Sequence, residues 1–166
     1  MEREKRYIAL LFFTIFCGSF LRLYNLDFDD LYFDEILSFV YASDNLTFSQ
    51  SYSSSSKLDA TPYLFNFFLK IIFHIFSYET LIGKLFLAIL SVLSILSVTY
   101  LSFLINKNKS YLLTAFLISF NIYLISHTSD LRVYILFFLL SSLSLVFFVK
   151  LIKNENKINN LVLFLV

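Results

Sequence analysis

Four carboxylates fall within ten residues at 28–37, FDDLYFDEIL, in a chain otherwise dominated by Phe, Leu, Ile and Ser. The adjacent pair Asp34-Glu35 has the chemistry of a general base able to take a proton from a hydroxyl. Carboxylates are also what any water-exposed loop carries, so both readings stand at this point. A second polar group lies about a hundred residues on, in SHTSDLRVY at 126–134. There Arg132 offers the planar donor fork that suits an anionic phosphate, with Asp130 placed to orient it or to hold an acceptor, and Tyr134 two residues further. The alternative is a polar turn with Arg132 snorkelling from a helix end. Lys84 is a possible second cation, and Arg22 reads as a snorkelling anchor at the end of the first apolar run.

The elements that must position these residues are membrane helices. Of 166 residues, 58% are hydrophobic and only 15% charged, with a mean hydropathy of +0.77. Such a balance marks an integral membrane protein. Two glycines and one proline leave few turns, so most of the chain is expected to be long helix. A net charge of +1 gives no sign of nucleic-acid binding. The single cysteine, Cys17, excludes an internal disulfide framework, and no Cys/His set has metal-ligand spacing.

Apolar runs predict spans at about 7–26, 81–105, 110–129 and 131–149, each near the ~20 residues needed to cross hydrocarbon. The first follows Arg3, Lys5 and Arg6 without a convincing cleavage site, and reads as a retained signal anchor. The stretch 63–78 is ambiguous. If it lies on the membrane surface, then Arg3, Lys5, Arg6, Lys107, Lys109, Lys150, Lys153 and Lys157 all fall on one side, eight of the thirteen basic residues. The positive-inside rule selects that arrangement, with a cytoplasmic N-terminus. Asn66, Lys70 and His74 recur every four residues, predicting an interfacial helix with that polar stripe in water and Phe67, Phe68, Ile71 and Ile72 toward lipid. An outer loop at 27–80 then holds eight acidic residues against Lys57 and Lys70. Within it, 36–42 suggests a short surface helix and the serine-rich 49–56 a mobile connector. The terminal LVLFLV at 161–166 reads as the start of a further span, so the 166 residues are expected to be the N-terminal part of a larger polytopic protein or a truncated product.

Three stretches in order, FLRLYNLDFDDLYFDEILSF, DATPYLFNFFLKIIFHIFSYETLIGKLF and SFNIYLISHTSDLRVYILFFLL, resemble the N-terminal membrane module of GT-C glycosyltransferases. The nearest likeness is to bacterial protein O-mannosyltransferase and aminoarabinose transferase-like members. The resemblance implies an all-α polytopic bundle with interfacial helices in a large outer loop. It implies Asp34 as catalytic base with Glu35 beside it, and Asp130, Arg132 and Tyr134 as the second-loop acid-x-Arg-x-Tyr pattern. Pro62 and Tyr63 match the end of the family's surface-helix motif. The chain departs where Ala60-Thr61 stand in place of His-Pro, and where Lys84 replaces an arginine, keeping the charge but losing the fork.

The function so implied is transfer of a sugar from a polyprenyl-phosphate donor to an acceptor hydroxyl at the outer face of a bacterial inner membrane, with inversion. It needs no redox cofactor, and a divalent metal is not excluded. Its partners are the lipid-linked donor and the bilayer, with no nucleic acid; the acceptor and the sugar are not legible. Two other classes compete: a truncated, non-catalytic membrane protein, and a transporter fragment, which calls for charges buried along a pathway in mid-span.

Overall fold

The computed structural model describes residues 2–24, 26, 30–58, 62–106 and 109–153. Asp27, Asp29, Asp59, Lys107, Lys157 and the expected further span at 161–166 lie outside the described residues. Among those described, secondary structure is entirely helical: α1 (Glu2–Leu23), α2 (Phe33–Tyr41), α3 (Phe48–Leu58), α4 (Leu64–Ile75), α5 (Thr80–Ile105), α6 (Ser110–Ser119), α7 (Ile122–Ser129) and α8 (Tyr134–Ile152). Three are long and apolar enough to cross a membrane: Glu4–Leu23 of α1, α5 and α8. The pair α6 and α7, bent by 45° at its break, makes a fourth if it serves as one span.

Helix α5 is the hub, packing on α8, α6, α1, α7 and α4. Its buried residues include Ser91, Ser94, Ser97 and Ala88, small side chains that let neighbouring backbones come close. Ser142 of α8 donates to Ser97 Oγ at 2.8 Å, and Ser94 returns its hydroxyl to the Leu90 carbonyl at 2.9 Å. The outward faces are apolar, with Phe12, Phe13 and Phe16 of α1 all exposed, as expected where lipid rather than water is the solvent. A buried hydrophobic cluster joins α4, α5, the α7–α8 turn and α8: Phe65, Leu69, Phe73, Leu87, Leu131, Val133, Ile135 and Leu136.

Helix ends sort into two groups. At one, the Lys109 ammonium lies 3.7 Å from the Tyr7 ring centroid, Thr114 donates to Ser102 Oγ at 2.9 Å, and Lys153 Nζ donates to the Leu104 carbonyl. The other end carries α2, α3, α4 and the α7–α8 turn, with the carboxylates.

Three sequence expectations change here. The serine-rich segment is helix α3 rather than a connector. Thr47 and Gln50 exchange bonds across its first turn, Thr47 Oγ1 accepting from Gln50 N at 3.3 Å and Gln50 Oε1 from Thr47 N at 2.9 Å. That is the capping-box pattern, and it was readable in Thr47-Phe48-Ser49-Gln50. Thr47→Ala is expected to destabilise α3 by about 1 kcal/mol, seen as faster amide exchange confined to 48–58.

The polar stripe of α4 is also reversed from expectation: Asn66 and Lys70 are buried, and only His74 stays outward. Asn66 Nδ2 donates to Ser55 Oγ at 3.1 Å, and Lys70 Nζ donates to the Ser43 carbonyl. Helix α3 and the α2–α3 turn supply the oxygens that make this burial tolerable. Tyr78 closes the layer, stacked on Phe39 at 4.2 Å; burial, with a smaller contribution from Asp44, pushes its phenol above the ordinary value.

The third change is the break in 110–129, expected as one span. Asn121 stands at the break with extended backbone and caps α7, its Oδ1 accepting from Leu124 N at 3.1 Å.

Candidate functional site

Helix α2 begins with Asp34 and Glu35 in its first turn, where carboxylates are favoured by the helix dipole. Neighbours on a helix point about 100° apart, and here that divides their fates. Glu35 turns inward and is only 4% exposed. Its Oε2 accepts from Tyr32 N at 2.7 Å and its Oε1 from Leu131 N at 2.6 Å. One carboxylate thus completes the start of α2 and fastens the α7–α8 turn to it. Asp34 turns outward, with its side chain 66% exposed.

Arg132 does not snorkel away from the protein. Its side chain folds over the start of α2: Nη1 donates to the Asp34 carbonyl at 3.0 Å, and Nη2 lies 3.7 Å from Asp34 Oδ2. An acid and a cation 98 positions apart in the sequence are therefore side by side. The backbone carrying Arg132 is fixed by Leu131, which is fully buried in the core. Its Cδ1 occupies the notch above Gly83, where an added Cβ would sit 2.6 Å away. Gly83 and Leu131 drew no attention in the sequence, because a notch and its plug are recognisable only once α5 and the turn are together.

Asp130 takes a different partner from the one expected. Its Oδ2 lies 2.5 Å from His127 Nδ1, one turn back at the end of α7, so it is Asp34, not Asp130, that faces the Arg132 guanidinium. His127 was not singled out from sequence, although the His-x-x-Asp spacing at a helix end is a pairing signal. Its ring lies between Tyr123 and Tyr134, at 5.0 and 5.2 Å, and Tyr134, at the start of α8, is half exposed.

The remaining expected residues lie apart from this pair or out of reach. Lys84, on the second turn of α5, is buried, 2% exposed, rather than presented at the surface as a second cation. Pro62 and Tyr63 precede α4, where the Tyr63 hydroxyl donates to the Phe48 carbonyl at 3.2 Å and its ring meets Tyr52 at 5.3 Å; they join α4 to α3. Among the described residues, no three His, Cys, Asp or Glu side chains converge as a metal ligand set. An apolar groove at the same end is lined by Ile72, Phe76, Ile82, Leu85, Phe86 and Ile89.

With this geometry in hand, comparison with family models, with curated proteins and with solved structures finds no match.

Proposed function

We propose that the chain is the N-terminal membrane module of a GT-C-like glycosyltransferase that moves a sugar from a polyprenyl-phosphate donor to an acceptor hydroxyl. The supporting observation is the pairing of exposed Asp34 with Arg132 at the carboxylate-bearing end of a bundle of apolar helices. In this reading that end faces outward from a bacterial inner membrane and the end bearing Lys109, Lys150 and Lys153 faces the cytoplasm, with the N-terminus.

The reaction follows from the charges. Asp34 takes the proton of the acceptor hydroxyl as its oxygen bonds to the anomeric carbon. The bond from that carbon to the phosphate oxygen breaks on the opposite face, and its electron pair stays with the lipid phosphate. Arg132 stabilises the charge that develops there. Displacement in one step inverts the anomeric configuration. The groove between α4 and α5 has the apolar lining that an isoprenoid chain requires.

A second reading, a non-catalytic membrane protein, draws on Glu35 and Lys84, two of the proposed site residues that are enclosed within the fold. Asp34→Asn separates the two. The asparagine keeps the backbone carbonyl that Arg132 uses, so insertion and folding are expected to persist. Transfer of labelled sugar from its polyprenyl phosphate, assayed with the full-length protein in proteoliposomes, is expected to fall by about 10²–10⁴-fold. Undiminished transfer refutes the role given to Asp34.

A further inference from the structure

The segment 110–129 contains neither glycine nor proline, yet it breaks by 45° between α6 and α7. Sharp bends in helices have few causes, and one is a side chain inserted into the hydrogen-bond ladder. Here that side chain comes from another helix. Arg22 of α1, expected to snorkel, is 1% exposed and lies inside the bundle. Its Nη1 donates to the Ser119 carbonyl at 2.8 Å and its Nη2 to the Ile118 carbonyl at 2.9 Å. In an unbroken helix those two carbonyls would accept from the N–H groups of Tyr123 and Ile122, four residues on. Arg22 therefore occupies the acceptors that a straight span needs.

The rest of the guanidinium is held equally firmly. Nη1 also donates to the Gly18 carbonyl at 2.9 Å, and Nε to Ser91 Oγ on α5 at 2.7 Å. All these partners are neutral oxygens, and the charge is balanced by the negative end of the α6 dipole. Ser91 is 11 residues past Thr80, the start of α5, about 16 Å along the helix. Thr128 of α7 donates to the same Ser91 hydroxyl at 3.1 Å, which ties the last turn of α7 to the Arg22 network two residues before Asp130. Gly18 makes the approach possible, since a Cβ there would lie 2.6 Å from Ser119 Cβ.

We propose that Arg22 is the positioning residue of the outer-end site: it holds the third span broken, and the angle so fixed decides where α7 delivers Asp130 and Arg132. A buried cation whose three nitrogens all donate to backbone carbonyls or a hydroxyl is a structural clasp rather than a charge lining a pathway. Only the effect on transfer rests on the glycosyltransferase reading; the break itself does not.

The test uses the two Phe-Asn pairs in the sequence, Phe65-Asn66 inside α4 and Phe120-Asn121 at the break. Labelling carbonyl carbons of Phe with ¹³C and amides of Asn with ¹⁵N gives two NMR cross-peaks from the full chain in nanodiscs. Phe65 serves as the helical reference and as a check on folding. In the wild type the Phe120 carbonyl is expected at a non-helical shift. In Arg22→Gln, which cannot span both carbonyls, it is expected to move to the helical position of Phe65, and in Arg22→Lys to return part of the way. A stationary Phe120 signal in folded Arg22→Gln overturns the proposal. Should that variant not fold, Ser91→Ala removes only the Nε partner and is expected to move the signal in the same direction by less; a stationary signal there overturns it equally. Transfer by Arg22→Gln is expected to drop about 10²-fold through misplacement, with Arg22→Lys recovering part. If Asp34→Asn leaves transfer intact while the Phe120 signal moves as described, the glycosyltransferase reading fails and the clasp stands.

Discussion

Glu35→Gln is expected to loosen the whole carboxylate-bearing end of the protein, although it changes one atom. Both carboxylate oxygens accept backbone N–H groups, a part-buried one from Tyr32 and a buried one from Leu131. A glutamine can accept at only one of them and must point its NH₂ at the other, donor against donor. Hydrogen bonds to a charged group are worth about 1.5–3 kcal/mol, and an orphaned buried N–H costs about 1–3 kcal/mol. A loss of about 3 kcal/mol is therefore expected, measured as a lower melting temperature in detergent. The turn holding Arg132 should detach from α2, so Asp34 and Arg132 separate as well. Asp34→Asn, one position away, should leave melting unchanged while affecting chemistry. Two adjacent carboxylates with opposite phenotypes are a sharp expectation: equal melting temperatures for the two variants would overturn the division of labour assigned to them.

Gly18→Val is expected to have the other large effect, by overpacking. Even a methyl at Gly18 would meet Ser119 Cβ at 2.6 Å and Ser119 Cα at 3.0 Å. The second of these is backbone, so rotating a side chain cannot relieve it. Helix α1 must back away from α6, and inserted bulk in a packed core typically costs about 1–3 kcal/mol. Separation also pulls Arg22 from the Ser119 and Ile118 carbonyls, adding to that cost. Because the clash has a named partner, Ser119→Gly should recover part of the melting temperature lost by Gly18→Ala. A double-mutant cycle showing no coupling between these positions would contradict the close approach.

The three long apolar helices were legible because length and hydropathy are properties of one segment at a time. The proximity of Asp34 and Arg132 was partly legible, since counting crossings put both loops on one side. What the sequence concealed depends on contact between segments. Helical periodicity shows that Asn66, Lys70 and His74 share a face, but not that α3 covers two of the three. Composition makes 49–56 look like a connector, whereas the capping pair Thr47 and Gln50 and the buried Ser51 and Ser55 make it a packed helix. No local feature short of Asn121 announces the break at 119–122, because its cause, Arg22, lies some 97 positions earlier. Within the site, residue type alone treats Asp34 and Glu35 as equivalents; only their angular separation on α2 makes one a fastener and the other an exposed acid.

The Glu35 fastening has a consequence for biosynthesis. Its partner Leu131 is made 96 residues later, an interval on the order of 5–20 s at ribosomal rates of about 5–20 residues per second. Throughout that interval α2 has only the Tyr32 half of its clasp, and α5 lacks the Leu131 plug against Gly83. The segment around α2 is therefore sealed only by a turn made after α7. Quality control acting on this protein would meet a long-lived intermediate with an unlatched carboxylate-bearing end, and arrival of the α7–α8 turn would be the event that closes it.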